Sequence, residues 1–317
     1  MQKDLSGPMS SSNLRYIKHN EIDYAKWDRC IKEAPNSRIY AVTWFLDRTA
    51  IVWDALVWGD YEYVMPLTYR KKMGIKYVYQ PLFSQQLGIF PKAPDEISKS
   101  FFDEIKGKFR YTDILLNAQN RPPVNEEKEL FLGRQNFLLP LHNNYPDIST
   151  GFNKNTQRNL ARSNTNNLAL VWGISLEEYL DFKSLNLNAK IGKNALIRLK
   201  SIIAHTQYKR IGEIAGVYTP ENKLCAAVFF CRWKDRVINM NAAANNEGKE
   251  LRAMFYLMDH FIENNAGKNL ILDFEGSMIP GVARFYKGFG AGSETYYQFK
   301  YNRLPWPVNW LKRKKDE

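Results

Sequence analysis

Two carboxylates and a phenol stand close together near the end of the chain. The apolar run Ile271-Leu272-Asp273-Phe274-Glu275 stops at Gly276-Ser277, and beyond Pro280-Gly281 follow Ala283-Arg284-Phe285-Tyr286-Lys287-Gly288-Phe289-Gly290. A buried strand that ends in acids, a glycine-containing break and a short helix puts polar side chains at the carboxyl edge of a sheet, where clefts form. Alternation along the strand sets Asp273 and Glu275 on one face. Groups so placed are candidates for moving a proton; the plainer account is a helix cap beside a surface acid.

Other polar groups are spaced for binding. Lys154, Arg158 and Arg162 fall at i, i+4 and i+8 and form one basic stripe if their segment is helical. Such a stripe suits the phosphates of a coenzyme or a transfer RNA, and equally a solvated face. Gln85 and Gln86, in the polar loop after Tyr79-Gln80-Pro81, can reach a substrate cleft or merely satisfy their own turn. His19, His142, His205 and His260 lack metal-ligand spacing, and no GxSxG, Walker or dinucleotide fingerprint occurs. Neither a metal site nor nucleotide hydrolysis is expected.

The elements that must position these groups read as an α/β (α+β) chain. Helical spacing over 22–33 precedes a strand at 50–58, a Gly59-Asp60 turn, a second strand at 61–69 and a third at 75–79. An amphipathic helix at 95–108 and a strand at 112–117 follow. The same order of hairpin, strand, helix and strand returns at 213–218, 224–233, 236–243, 251–264 and 269–274. Leu251, Met254, Phe255, Met258, Phe261 and Ile262 share one face of that last helix, and Gly267 is placed to stop it. Between the halves lie a strand at 137–141, a linker at 143–149 and a helix at 153–163. The reading is a flexible leader at 1–13, lobes at 14–145 and 146–303, and a basic aromatic tail at 304–317. That tail can also rest on an acidic membrane surface.

Length and composition agree with two domains, since single cores stop growing at about 250–300 residues and this chain has 317. Of its net charge of +12, residues 151–317 carry +10 (25 cationic against 15 anionic side chains) and residues 1–150 carry +2 (20 against 18). The basic second half favours an anionic partner such as a coenzyme, a nucleic acid or an acidic surface, or supplies solubility. Cys30, Cys225 and Cys231 form neither a disulfide framework nor a CxxC pair, so a reduced, cytoplasmic setting is expected. The longest clean apolar run, 224–230, is far short of the roughly 20 residues of a membrane span.

The run DFEGSMIPGVARFYKGFGA, preceded by Glu247-Gly248-Lys249-Glu250-Leu251-Arg252-Ala253, resembles the second GNAT lobe of Fem-like acyltransferases, especially their bacterial DFEGS-containing members. Asn155-Thr156-Gln157-Arg158-Asn159-Leu160-Ala161-Arg162 is similar to the basic helix that opens that lobe. The likeness covers residues 152–300 in detail and 40–145 by architecture. It implies two GNAT-like lobes, each a mixed, mostly antiparallel twisted sheet flanked by helices. It also implies acyl transfer from acyl-CoA or acetyl-CoA to an amine of a small molecule, sugar or peptide. Glu275 or Asp273 would remove the amine proton and Tyr286 would supply one to the leaving thiolate. Asn245, Gly248, Lys249 and Arg252 would border the donor's pyrophosphate, with Arg158 and Ser277 toward the substrate. The family loop carries an Arg or Gln and closely spaced glycines, whereas here one glycine stands beside Glu247. Two alternatives remain: an aminoacyl-tRNA donor, as in Fem-type peptidoglycan enzymes, and a non-catalytic binding module.

Overall fold

A computed structural model describes residues 13–121, 131–186, 192–276 and 278–305. The chain divides into two compact units, one running to Gly133 and resuming at Tyr296, the other spanning Arg134–Thr295.

The first unit contains β1 (Leu14–Ile17), α1 (Tyr24–Glu33), α2 (Thr43–Thr49), β2 (Val52–Trp58), β3 (Tyr63–Lys72), β4 (Ile75–Tyr79), α3 (Asp95–Lys108) and β5 (Tyr111–Leu115). Asp23 starts α1 by accepting the N–H groups of Ala25 and Lys26, which no helical carbonyl can reach. β1, β2, β3 and β4 pair antiparallel in that order. α3 carries the chain over so that β5 lies parallel to β4. Trp27 and Trp53 pack 5.1 Å apart in the core. Their buried indole N–H groups donate to Ala41 O at 2.8 Å and Asp47 Oδ1 at 2.7 Å, so that neither is left unpaired.

The second unit takes β6 (Phe131–Pro140) from Arg134 on, then α4 (Tyr145–Thr150), α5 (Lys154–Asn164), β7 (Ala169–Trp172), α6 (Leu176–Leu185), α7 (Lys193–Tyr208), β8 (Gly212–Tyr218), β9 (Leu224–Trp233), β10 (Arg236–Ala244), α8 (Asn246–Glu250), α9 (Ala253–Asn265), β11 (Ile271–Gly276) and α10 (Pro280–Gly288). Its strand order is β6-β11-β10-β9-β8-β7, antiparallel except for the parallel pair β10 and β11 that α9 connects. Finally β12 (Gly292–Asn302) runs into the first unit, where Gln298↔Leu115 through Asn302↔Tyr111 pair antiparallel with β5.

The α/β class expected from the spacing is present, and so are the mostly antiparallel pairing and flanking helices that the resemblance implies. One helix differs. The apolar stripe from Leu251 predicts a helix over 251–264, but α8 ends at Glu250 and α9 starts at Ala253. Arg252 between them has φ 61°, a left-handed conformation that no α-helix passes through. From Ala253 on the stripe buries Met258, Phe261 and Ile262, joined by Leu257, while Met254 and Phe255 are half-buried. Phe261 stacks on Phe230 at 4.1 Å, and each such buried side chain contributes about 1.5–3 kcal/mol of burial.

Candidate active site

The site begins where β10 and β11 stop pairing. Arg236↔Ile271, Val237↔Leu272 and Ile238↔Asp273 are in register, and beyond them the two strands part. Both are irregular at that level: β10 shifts register against β9 between Asn239 and Asn241, and β11 against β6 between Asp273 and Gly276. Bulges of this kind bend a strand and re-aim its side chains. The fork opens into a cleft of about 430 Å³. Its walls are Asn239 to Ala244 of β10, Phe274 to Gly276 of β11, Met254 of α9, and Gly281, Val282, Phe285 and Tyr286 of α10.

Asp273, 2% exposed, sits at the base of the fork. Its Oδ2 pairs with Arg236 Nη1 at 2.8 Å and its Oδ1 accepts the backbone N–H of Glu275 at 3.0 Å. Glu275 has φ 59°, a strained conformation for a residue with a Cβ. Regular alternation therefore fails at this strand end, with Asp273 tied to Arg236 and Glu275 half-buried on the cleft wall.

Past the fork the freed backbone of β10 is caught from α6. The Tyr179 hydroxyl lies 2.7 Å from Asn241 Oδ1 and 3.1 Å from Asn241 O, and Lys183 Nζ donates to Ala242 O at 2.8 Å. Burial lowers the Lys183 ammonium to about 8. Across the cleft Tyr286 stacks on Phe274 at 4.7 Å. Burial, then the charges of Glu275 and Asp273, push its phenol above the usual range, so it keeps its proton. Beneath, the buried Cys231 thiol is raised by desolvation and then by Glu275.

Of the residues expected at the donor's pyrophosphate, Asn245 and Lys249 line, with Glu247, a second cavity of about 400 Å³ that shares Ala244 with the cleft, whereas Gly248 and Arg252 do not line it. Asn245 caps α8, its Oδ1 taking the Gly248 N–H at 2.7 Å. A Cβ on Gly248 would lie 2.1 Å from Cys225 O, so glycine is needed for α8 to approach β9. Arg252 Nη1 donates to Lys249 O at 2.7 Å, and α9 begins with no side-chain cap on its first N–H groups.

The remaining expected residues stand elsewhere. Arg158 is exposed on α5, its Nε donating to Lys154 O at 3.3 Å, and Lys154 and Arg162 are exposed with it. Gln86 is fully buried in the first unit, where its Oε1 accepts from Arg38 Nε and the Ala118 N–H, both at 3.2 Å. Gln85, 8% exposed, accepts from Gln86 Nε2 at 3.2 Å. These two amides brace their loop from inside. Ser277 lies outside the described residues, as do the tail from residue 306 and the leader up to residue 12.

Sequence reasoning missed Arg236, Asn239, Tyr179 and Lys183. A signal was present for Asn239: with Asn241 it interrupts the otherwise apolar stretch Val237-Ile238-Asn239-Met240-Asn241-Ala242. Among the described residues no group of three or more His, Cys, Asp or Glu side chains could hold a metal ion, and no helix is long and apolar enough to cross a membrane.

No family model matches the chain, and no curated protein matches its sequence. Solved structures do match. FemX superposes with a TM-score of 0.63 at 12% identity, covering 94% of this chain and 99% of that one. A conserved protein of unknown function from Bacteroides thetaiotaomicron gives 0.57 at 12% identity, covering 88% and 97%. L-PGS from Bacillus licheniformis gives 0.50 at 11% identity, covering 83% and 88%. At such identities the shared property is the fold, and this chain has the fold of FemX.

Proposed function

We propose that this chain is an N-acyltransferase that moves an acyl group from acyl-CoA to an amine of a small molecule, sugar or peptide. The observation that carries this reading is the fork between β10 and β11, with Glu275 and Tyr286 on the walls of its cleft. Backbone N–H groups of β10 that turn away from β9 past Ile238 have no β11 partner, and an extended amide-bearing chain can use them as an added strand. The same groups can support a carbonyl oxygen as it gains charge. Glu275 takes the proton that the attacking amine sheds, and Tyr286, held protonated, donates to the departing thiolate. Asp273 orients Glu275. Donor phosphates would lie by Lys249 and Arg252, at the open start of α9.

The parallel pairs β4 with β5 and β10 with β11, each joined by a helix, support two related GNAT-like lobes, expected at 14–145 and 146–303, although the compact units change over at Gly133 and Tyr296. Three free cysteines support a cytoplasmic setting.

A second reading, an aminoacyl-tRNA donor, is favoured by two observations. The Gly248 N–H that a pyrophosphate would use is already held by Asn245, while Lys154, Arg158 and Arg162 line an exposed face of α5. Thermal unfolding with acetyl-CoA, longer acyl-CoAs or bulk tRNA separates the readings, because a ligand of the native state raises the melting point. Stabilisation by an acyl-CoA, with thiol release on adding amines, supports the first reading. Stabilisation by tRNA alone replaces it with the second, and no stabilisation by any of them leaves a non-catalytic module.

A further inference from the structure

Asn239 is the first residue of β10 beyond the fork: Ile238 still pairs with Asp273, and Asn239 has no partner on β11. It lines the cleft and is 5% exposed. Its Oδ1 is buried with no hydrogen-bond donor among the described residues. The neighbouring polar groups are provided for. Asn241 Oδ1 has the Tyr179 hydroxyl, and both oxygens of Asp273 are bonded.

A buried carboxamide oxygen without a donor has lost its hydration and received nothing in return, so an apolar side chain of the same shape would serve the fold better. Its surroundings make it conspicuous, since Met240, Ala242, Ala243, Phe274 and Phe285 are the apolar walls on either side. The register shift between Asn239 and Asn241 belongs to a bulge, the device by which strands present side chains beside a site.

We propose that Asn239 is a ligand-binding residue whose carboxamide oxygen accepts an N–H from the molecule in the cleft. The identity of that molecule rests on the acyl-transfer reading, which offers two sources of the same chemistry: the acceptor amine or an amide of the acyl donor. For the acceptor the geometry has a purpose. A neutral primary amine carries two N–H groups and one lone pair. One N–H bonded to Glu275 and the other to Asn239 leaves the lone pair turned to the acyl carbon. The C–N bond then forms as the C–S bond breaks, the amine proton passes to Glu275, and the sulfur leaves with the electron pair.

The test uses the full-length chain with Asn239→Leu, which keeps the branching, and Asn239→Ala. Unfolding without ligand is the first arm, and the melting point should hold or rise by a few degrees in both variants, since an unpaired polar atom is removed. Calorimetric titration with acetyl-CoA and acetyl transfer to spermidine, glucosamine and lysine are the second. If the donor's amide is the contact, the Kd for acetyl-CoA rises at least tenfold. If the acceptor is, that Kd is unchanged and the amine KM rises at least tenfold. A fall of more than about 5 °C in both variants assigns Asn239 a structural partner and overturns the proposal. Unchanged Kd and KM overturn it as well. Should neither acetyl-CoA nor longer acyl-CoAs bind, and no amine be acylated, it is the acyl-transfer reading that fails. The unfolding arm then decides Asn239 alone, a fall overturning the proposal and a rise supporting it.

Discussion

Asp273 Oδ1 holds the backbone N–H of Glu275 at 3.0 Å, two residues along the same strand. In a continued ladder that N–H would seek a neighbouring strand. Because a side chain of its own strand takes it instead, β11 can leave β10 and Glu275 can stand at the cleft in a left-handed conformation. Proton removal by Glu275 predicts that Glu275→Gln lowers turnover by roughly 10²–10⁴ while the acyl donor binds as before. Single-turnover kinetics beside donor titration measures both, and full turnover in the variant would return the role to a water or to the substrate.

The pair that anchors this arrangement, Arg236 with Asp273, has side chains 14% and 3% exposed. Removing one partner strands the other's charge in the interior. Arg236→Met should therefore lose about 3–5 kcal/mol of unfolding free energy. The double variant Arg236→Met with Asp273→Asn carries no bare charge and should recover most of it, as urea denaturation of the wild type, the two single variants and the double variant would show.

Lys183 gives stability a pH dependence of known sign. Its folded pKa of about 8 lies below the ordinary 10.5, so between those values the unfolded chain binds the proton and the native chain does not. Stability of the wild type then rises with pH through that window. Lys183→Met should be the more stable protein below pH 8, by up to about 3 kcal/mol, with the gap closing as pH approaches 10.5. Paired urea titrations across this range test it, and a gap that does not change with pH would refute it.

Gly248→Ala tests the close approach of α8 to β9. The added methyl meets the Cys225 carbonyl, which is backbone and cannot swing aside. A loss of about 1–3 kcal/mol is expected in thermal unfolding, together with weaker donor binding as Asn245 and Lys249 shift with α8. An unperturbed melting point would mean that α8 moves freely.

Much of the scaffold was legible from spacing alone. α3 and β9 lie where their apolar patterns put them, because α3 buries one face, Ile97, Phe101, Phe102 and Ile105, and β9 a whole apolar run. α7 was not legible, for its apolar residues Ile197 and Tyr208 are 65% and 84% exposed and blur the stripe. At the site, the acids and the tyrosine could be seen as a strand end followed by a helix. Where β10 and β11 cease to pair could not, since that depends on partners far apart in sequence. Gln85 and Gln86 illustrate the same limit from the other side. Polar residues in a loop read as surface groups, yet Gln86 turns inward to accept from Arg38 and the Ala118 N–H, and Gln85 to accept from the Gln86 amide.

The open fork also makes the sheet of the second unit unfinished. Three register pairs join β10 to β11, and β6 and β9 lie on their far sides, so this seam is where thermal opening should start. A molecule lodged in the fork would bridge the two strands and act as the missing staple. Binding and tightening of the sheet would then be one event, felt as slower amide exchange in β10 and β11 and greater resistance to proteolysis.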